Sequence, residues 1–345
     1  MQGARTAPAE AIIALMPTFI FGAGFNADAT AEAGPLFADS IYVGRYQIDC
    51  GYPLVGDTLR LCFGREEMPE GKSIEDLFAY AEENKDQKPI RALAQRLRYA
   101  DYRIAQELAS GKTANVYQEF FSRFRHSRFL TFNYDSLPET FLFKFGCWHP
   151  HDGYGVRVHA PSFPCSEESI PQPSRALVLH LHGSLCIRTD EYEARRKSGE
   201  TMRTLTKRDA PLYIFAPSSI AANFPGLAPG SGSDDVEDRV IAPIPDKAPA
   251  LNAPFISDTY TKAEALMRDS DTLVAIGYSF NPHDRASYQR LLRALGESGD
   301  RKLLVVSPDA GTVANAIHSG FPDLTIEPKA GTFKQWVAAS FPGLE

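Results

Sequence analysis

The chain has 345 residues, 43% of them hydrophobic and 23% charged, with a formal net charge of −7. That composition describes an ordinary globular protein, long enough for one large core with insertions or for two domains. The acidic balance argues against broad electrostatic binding to nucleic acid, and no apolar run approaches the roughly 20 residues that a membrane span needs.

Cysteine usage narrows the class further. Cys50, Cys62, Cys147, Cys165 and Cys186 are scattered and never form a C-x-x-C pair. This argues against a zinc ribbon or a disulfide framework and points to reduced thiols in the cytoplasm. Ala11 to Met16 is apolar but lacks the basic n-region and cleavage site of a signal peptide.

In chain order, Thr18–Phe21 reads as a short apolar strand running into Gly22-Ala23-Gly24-Phe25-Asn26-Ala27. This G-x-G-x-x-A turn permits a tight bend and close approach to a pyrophosphate; the alternative is a plain strand-to-helix turn. Ser73–Glu82 predicts a helix, with Ser73 as N-cap and Asp76 three residues on. Apolar residues at helical spacing predict a helix over Ile90–Leu108, and Asn115–Phe124 continues the run, with Phe120, Phe121 and Phe124 as core. Arg128–Thr131 is a second strand, ending in Phe132-Asn133-Tyr134-Asp135 before a helix over Ser136–Phe145. Gly146–Pro173 reads as irregular loop, and the spacing of His149, His151 and His159 there does not support a metal site.

Ala176–His180 is a third strand, ending in Leu181-His182-Gly183-Ser184. Glu191–Arg208 reads as a solvated hairpin or helix face of mixed charge, Leu212–Phe215 as a strand and Pro225–Pro254 as a long surface loop. A helix over Asp258–Arg268 follows, then a strand over Thr272–Ile276 ending in Gly277-Tyr278-Ser279-Phe280. The remaining expectations are a helix over His283–Leu295, a strand over Lys302–Val306, and a helix over Gly311–Ser319. A short strand over Leu324–Ile326 and a helix over Thr332–Ala339 close the chain. Strands alternating with helices imply βαβ units and a mostly parallel α/β sheet.

In such a sheet the carboxyl ends of the strands share one rim, where ligands bind. Here those ends carry Gly22-Ala23-Gly24, Asn133-Tyr134-Asp135, His182-Gly183-Ser184, Gly277-Tyr278-Ser279 and Ser307-Pro308-Asp309. Together they suit an elongated ligand with phosphates and hydroxyls, such as a dinucleotide. A histidine at that rim suits acid–base work, although a lone strand-end histidine is more often structural. His180 competes with His182, because residues two apart on a strand share a face. Asn133 and Asp135 are alternatively caps for the helix that follows them.

These motifs, in this order, resemble the sirtuin superfamily in its zinc-less prokaryotic branch. Gly22-Ala23-Gly24 with Asn26 and Ala33-Gly34-Pro35-Leu36-Phe37 resembles the opening NAD loop of that family. Thr131-Phe132-Asn133-Tyr134-Asp135 resembles its Thr-x-Asn-x-Asp segment, and Leu181-His182-Gly183-Ser184 its catalytic histidine motif. Gly277-Tyr278-Ser279-Phe280, with Pro282 and Asp284, resembles the late Gly-Tyr-Ser segment of the branch. The two C-x-x-C pairs of the deacylating members are absent, so the resemblance implies no zinc module.

The resemblance implies a single sirtuin-like domain over 1–345 with a Rossmann-like core at about 17–60, 126–186 and 258–345. It leaves a helical insertion at about 61–125 and an irregular insertion at about 187–257. It further implies an NAD glycohydrolase in which His182 and Asn133 are catalytic. The residues it implies around NAD, held as substrate, are Gly22, Ala23, Gly24, Asn26, Asp135, Gly183, Ser184, Gly277, Tyr278, Ser279 and Ser307. The setting it implies is a regulated NAD-depleting effector of bacterial antiphage defence. Restraint would come from homo-oligomerisation or from a separately encoded ATPase or nucleic-acid-guided partner. An NAD-dependent protein deacylase and a non-enzymatic NAD or ADP-ribose sensor stand as alternatives.

Overall fold

The computed structural model describes residues 17–34, 40–43, 46–49, 51–112, 114–158, 173–196, 203–215, 247, 250–297, 299 and 301–344. Ala11 to Met16, Pro35 to Phe37, Cys50, His159, Cys165 and the stretch 225–246, all considered above, lie outside the described residues.

Short apolar runs bounded by glycine or polar residues become the central strands. They are β1 (Thr18–Phe21), β4 (Arg128–Thr131), β5 (Leu177–His180), β8 (Thr272–Ile276) and β9 (Lys302–Ser307), and the more polar, half-exposed β10 (Thr325–Ala330) is added at one edge. They form one six-stranded sheet in the order β10-β9-β8-β1-β4-β5. Every neighbouring pair is parallel. Numbered within the sheet alone, this is the order 3-2-1-4-5-6 of the doubly wound Rossmann fold. The order reverses between β1 and β8, and the ligand crevice of such sheets opens at that point.

Alternation along β1 separates the two faces of the sheet. Phe19 and Phe21 pack against Phe120 and Phe121 of α6 (Val116–Arg123). That aromatic layer continues to Phe141 of α7 (Leu137–Lys144) and Phe333 of α11 (Phe333–Ala338). Thr18 points the other way, where its hydroxyl meets that of Ser270 at 2.6 Å, just after α8 (Pro254–Arg268). α8 packs there on α9 (Arg285–Gly296). Phe120, Phe121 and Phe124 are buried, as core residues should be, and each such ring contributes about 1.5–3 kcal/mol of burial.

After the short α1 (Ala29–Ala33), the helical region contains α2 (Val55–Phe63), α3 (Ile74–Glu83), α4 (Lys88–Ala100) and α5 (Gln106–Ala109). Ser73 caps α3 through a reciprocal pair: its hydroxyl accepts from the Asp76 N–H, and Asp76 accepts from the Ser73 N–H. The helix expected over Ile90–Leu108 is interrupted by a π turn at Asp101–Ala105. Two antiparallel pairs lie outside the six-stranded sheet. A hairpin of β2 (Ser40–Val43) and β3 (Tyr46–Asp49) precedes α2. In the second insertion β6 (Ile187–Arg196) and β7 (Arg203–Phe215) form a long antiparallel ribbon, the hairpin rather than the helix face of the two readings for Glu191–Arg208, and the strand read over Leu212–Phe215 is the end of β7. Charged residues along both strands mask the alternation by which a half-buried strand is recognised. α8 also starts four residues early, with Pro254 in the first turn, where a missing N–H costs nothing.

Candidate active site

The turns that end β1 and β8 touch backbone to backbone. Gly22 N–H donates to the Ile276 carbonyl at 3.1 Å, and Gly24 N–H to the Gly277 carbonyl at 3.0 Å. A Cβ on Gly277, whose φ is +60°, would lie 2.2 Å from the Phe25 nitrogen. A Cβ on Gly22 would lie 2.6 Å from the Gly277 oxygen, and one on Gly24 2.8 Å from its Cα. These glycines are therefore required by the contact between two turns. The contact also changes the expected phosphate cradle, because two of its three N–H donors are engaged inside the protein. Ala23, exposed at the head of the turn, has no partner for its N–H among the described residues.

A cavity of about 420 Å³ opens at this switch point. It lies within the range of about 300–1,000 Å³ typical of small-molecule sites. It brings together Gly22, Ala23, Gly24, Asn26, Asn133, Asp135, His182, Gly277, Tyr278 and Ser279 from four segments of the chain. Gly183, Ser184 and Ser307 do not line it. Gly183 has φ +84° and turns the chain, while the buried Ser184 hydroxyl accepts from the Cys186 N–H. The Ser307 hydroxyl binds the Asp309 carboxylate.

The two histidines have different surroundings. His180 is fully buried, with Nε2 2.5 Å from Glu139 Oε1 and Nδ1 3.1 Å from the Asn133 carbonyl. Burial opposes its imidazolium, but the charge of Glu139 and the hydrogen bond to it prevail, and its pKa is raised. His182 lines the cavity at 3% exposure, edge-on to Phe132 with ring centroids 4.8 Å apart. Its Nε2 has no hydrogen-bond partner among the described residues. Burial, helped by the charge of Lys247, holds its pKa well below the ordinary value. Asp284 Oδ1 is 3.7 Å from that nitrogen, beyond hydrogen-bond range, and is already in contact with Lys247 Nζ. His182 is therefore neutral and free, whereas His180 is a structural ion-pair partner.

Asn133 donates its amide to the Gly22 carbonyl at 3.1 Å and so ties the end of β4 to the glycine turn. Asp135 accepts from the Asn26 side chain at 2.6 Å and from the Leu137 N–H at 3.2 Å. Burial pushes its carboxyl up to about 6. Behind it, the π turn directs Asp101 to the Tyr52 hydroxyl at 2.5 Å and the Ser136 N–H at 2.8 Å. Burial, and then the charge of Asp135, raise Asp101 as well.

Sequence reasoning missed several lining residues. Lys247 comes from the stretch read as surface loop, where no periodicity marks it. Glu75, in the first turn of α3, accepts from the Asn281 amide at 2.7 Å and joins the helical region to the turn after β8. Asp284 was noted only as part of the late motif. Leu54, Ile74, Phe78 and Leu93 give the cavity an apolar wall.

Among the described residues, no cluster of three His, Cys, Asp or Glu could hold a metal ion, and no helix is long and apolar enough to cross a membrane. No protein-family model and no curated protein sequence matches the chain. Solved structures do align with it along nearly its whole length. One, concerning the mechanism and regulation of Sir2 enzymes, is 15% identical with a TM-score of 0.36, covering 96% of this chain and 95% of that one. A mutant Sir2 homologue complexed with ADP-ribose is 12% identical with a TM-score of 0.39, covering 98% and 96%. A Sir2 homologue complexed with NAD is 14% identical with a TM-score of 0.38, covering 100% and 98%. The fold assignment rests on strand order and parallel register, independently of these alignments.

Proposed function

We propose that this protein cleaves the nicotinamide–ribose bond of NAD, with water as acceptor, to give nicotinamide and ADP-ribose. The observation that carries the reading is the neutral, buried His182, its Nε2 unpartnered among the described residues, facing a cavity at the switch point of the sheet.

As the C–N bond breaks, its electron pair leaves with nicotinamide and positive charge develops on the ribose. Carboxylates of Glu75, Asp135 and Asp284 line the same cavity and favour that charge. Water adds to the anomeric carbon and its proton passes to His182, then to solvent. A weakly basic imidazole suffices, because water attacking an oxocarbenium carbon is already acidic. Asn133, its amide nitrogen held on Gly22, keeps its amide oxygen to accept from that water or from a ribose hydroxyl. Ala23 N–H and the turn at Gly277–Ser279 are the polar groups on the side assigned to the pyrophosphate and the far ribose.

The wider reading is a restrained, cytoplasmic effector of bacterial antiphage defence, controlled by self-association or by a separately encoded ATPase or nucleic-acid-guided partner. Its support is the motif resemblance alone.

The test is NAD consumption with chromatographic product analysis. Wild type should release nicotinamide and ADP-ribose, and His182→Ala and Asn133→Ala should each lower turnover by about 100-fold or more. Undiminished turnover in both variants would sink the assignment. Saturable NAD binding without turnover would favour a sensor, and deacylation of acetylated peptides a deacylase.

A further inference from the structure

Lys247 is 6% exposed, and its ammonium is in contact with Asp284 Oδ1. A buried lysine is costly unless a counter-charge offsets its desolvation, and here that counter-charge is Asp284. The same oxygen lies 3.7 Å from the Nε2 of His182. The other oxygen of Asp284 accepts weakly from the Tyr278 hydroxyl at 3.4 Å. Tyr278 lies flat on Phe132, with ring centroids 4.2 Å apart and planes 7° from parallel, and Phe132 meets the His182 ring edge-on. The imidazole thus neighbours both a ring stack and an ion pair.

Two partners therefore compete for one carboxylate oxygen. A carboxylate this close to a buried imidazole, with no other cation at hand, stabilises the imidazolium and draws its N–H into an ion pair. Histidine in that state cannot accept a proton. The buried His180–Glu139 pair parallels this outcome in the same protein: there the carboxylate has no second cation on it among the described residues, and the histidine pKa is raised. At His182 the carboxylate is shared with Lys247, and the imidazole is neutral.

We infer that Lys247 is a positioning residue for His182: by holding the Asp284 carboxylate, it keeps Asp284 from capturing the imidazole and leaves Nε2 free to take a proton from the attacking water. The inference deepens the reading above, in which His182 accepts that proton, but its test requires no NAD. The other ionisable groups lining the cavity are Tyr52, Glu75 of α3, Tyr134 after β4, Asp135, and Tyr278 after β8.

The experiment is a histidine titration by NMR on the intact chain with isotope-labelled histidine. The His182 signal is assigned by its loss in His182→Gln. Wild-type His182 should stay neutral to well below pH 6.5, the ordinary histidine value. Lys247→Met should raise its midpoint by at least one pH unit, about a tenfold gain in proton affinity. Asp284→Asn added to Lys247→Met should reverse that rise, a reversal that mere loosening of the site does not produce. Lys247→Gln provides the same comparison should Lys247→Met lose its fold. An unchanged midpoint on loss of the lysine charge, or a rise that persists in the double variant, overturns the inference. A normal titration series in a protein that leaves NAD intact would instead count against the proposed reaction and leave the role of Lys247 standing.

Discussion

Gly24 donates its backbone N–H to the carbonyl of Gly277 at 3.0 Å, across the point where the strand order of the sheet reverses. The two turns would otherwise flank the crevice as separate loops. Joined, they make one rigid floor, and the polar ends of β4 and β5 rise beside it with Asn133 and His182. The Asn133 amide extends this floor through its bond to Gly22.

A methyl group at that contact has nowhere to go. In Gly277→Ala the new Cβ meets the Phe25 nitrogen, in a backbone region that L-residues avoid. Strain and forced displacement together should cost at least about 2 kcal/mol. Gly311, within α10 (Ala310–His318), is the control, because its Cβ would meet open space. Gly311→Ala should stabilise by about 0.5–1 kcal/mol. Urea denaturation of both variants measures the contrast, and equal midpoints would refute the packing role of Gly277.

The sheet was legible because buried parallel strands read as continuous apolar runs ending in glycine or polar residues. Thr18–Phe21, Arg128–Thr131 and Thr272–Ile276 were recognisable to the residue on that basis. Their polar ends located much of the cavity wall for the same reason. What was not legible depends on partners remote in sequence. Nothing around His180 announces Glu139, 41 residues away. Nothing in the Pro- and Gly-rich stretch around Lys247 distinguishes it from a surface lysine. In sequence Glu75 is one more acid beside the Ser73–Asp76 cap, and only the fold turns it toward Asn281. Gly22 and Gly24 suit either a phosphate cradle or a plain strand-to-helix turn; their contact with Gly277, more than 250 residues away, is a tertiary fact.

Asp135 should leave a signature in the pH dependence of stability. Its folded carboxyl is raised to about 6, above the unfolded value near 3.9. The folded state therefore binds the extra proton between those values, and stability falls as pH rises through that window. Asp135→Asn removes the titration. Asn26 can accommodate the change by turning its amide, since its Oδ1 has no partner among the described residues. Relative to wild type, the variant should gain on the order of 2 kcal/mol between pH 4 and pH 6.5. Denaturant midpoints across that range test it, and parallel curves for the two proteins would refute it.

The two histidines should respond to pH in opposite senses, although they lie two residues apart. His180 has a raised pKa, so its pairing with Glu139 contributes fully below about pH 6.5 and fades as pH rises through the folded value. Glu139→Ala, which leaves the buried imidazole without its counter-charge, should cost about 3–5 kcal/mol at pH 6 and less at pH 9. His182 has a depressed pKa, so the unfolded chain takes up a proton that the folded site refuses. Its effect therefore appears as pH falls below about 6.5, where wild type should lose stability progressively toward pH 5 relative to His182→Gln. Denaturation of wild type, Glu139→Ala and His182→Gln at pH 5, 6, 7.5 and 9 separates the two effects. If His182→Gln declined in acid as steeply as wild type, the neutral imidazole on which the proposed chemistry depends would be refuted without any assay of activity.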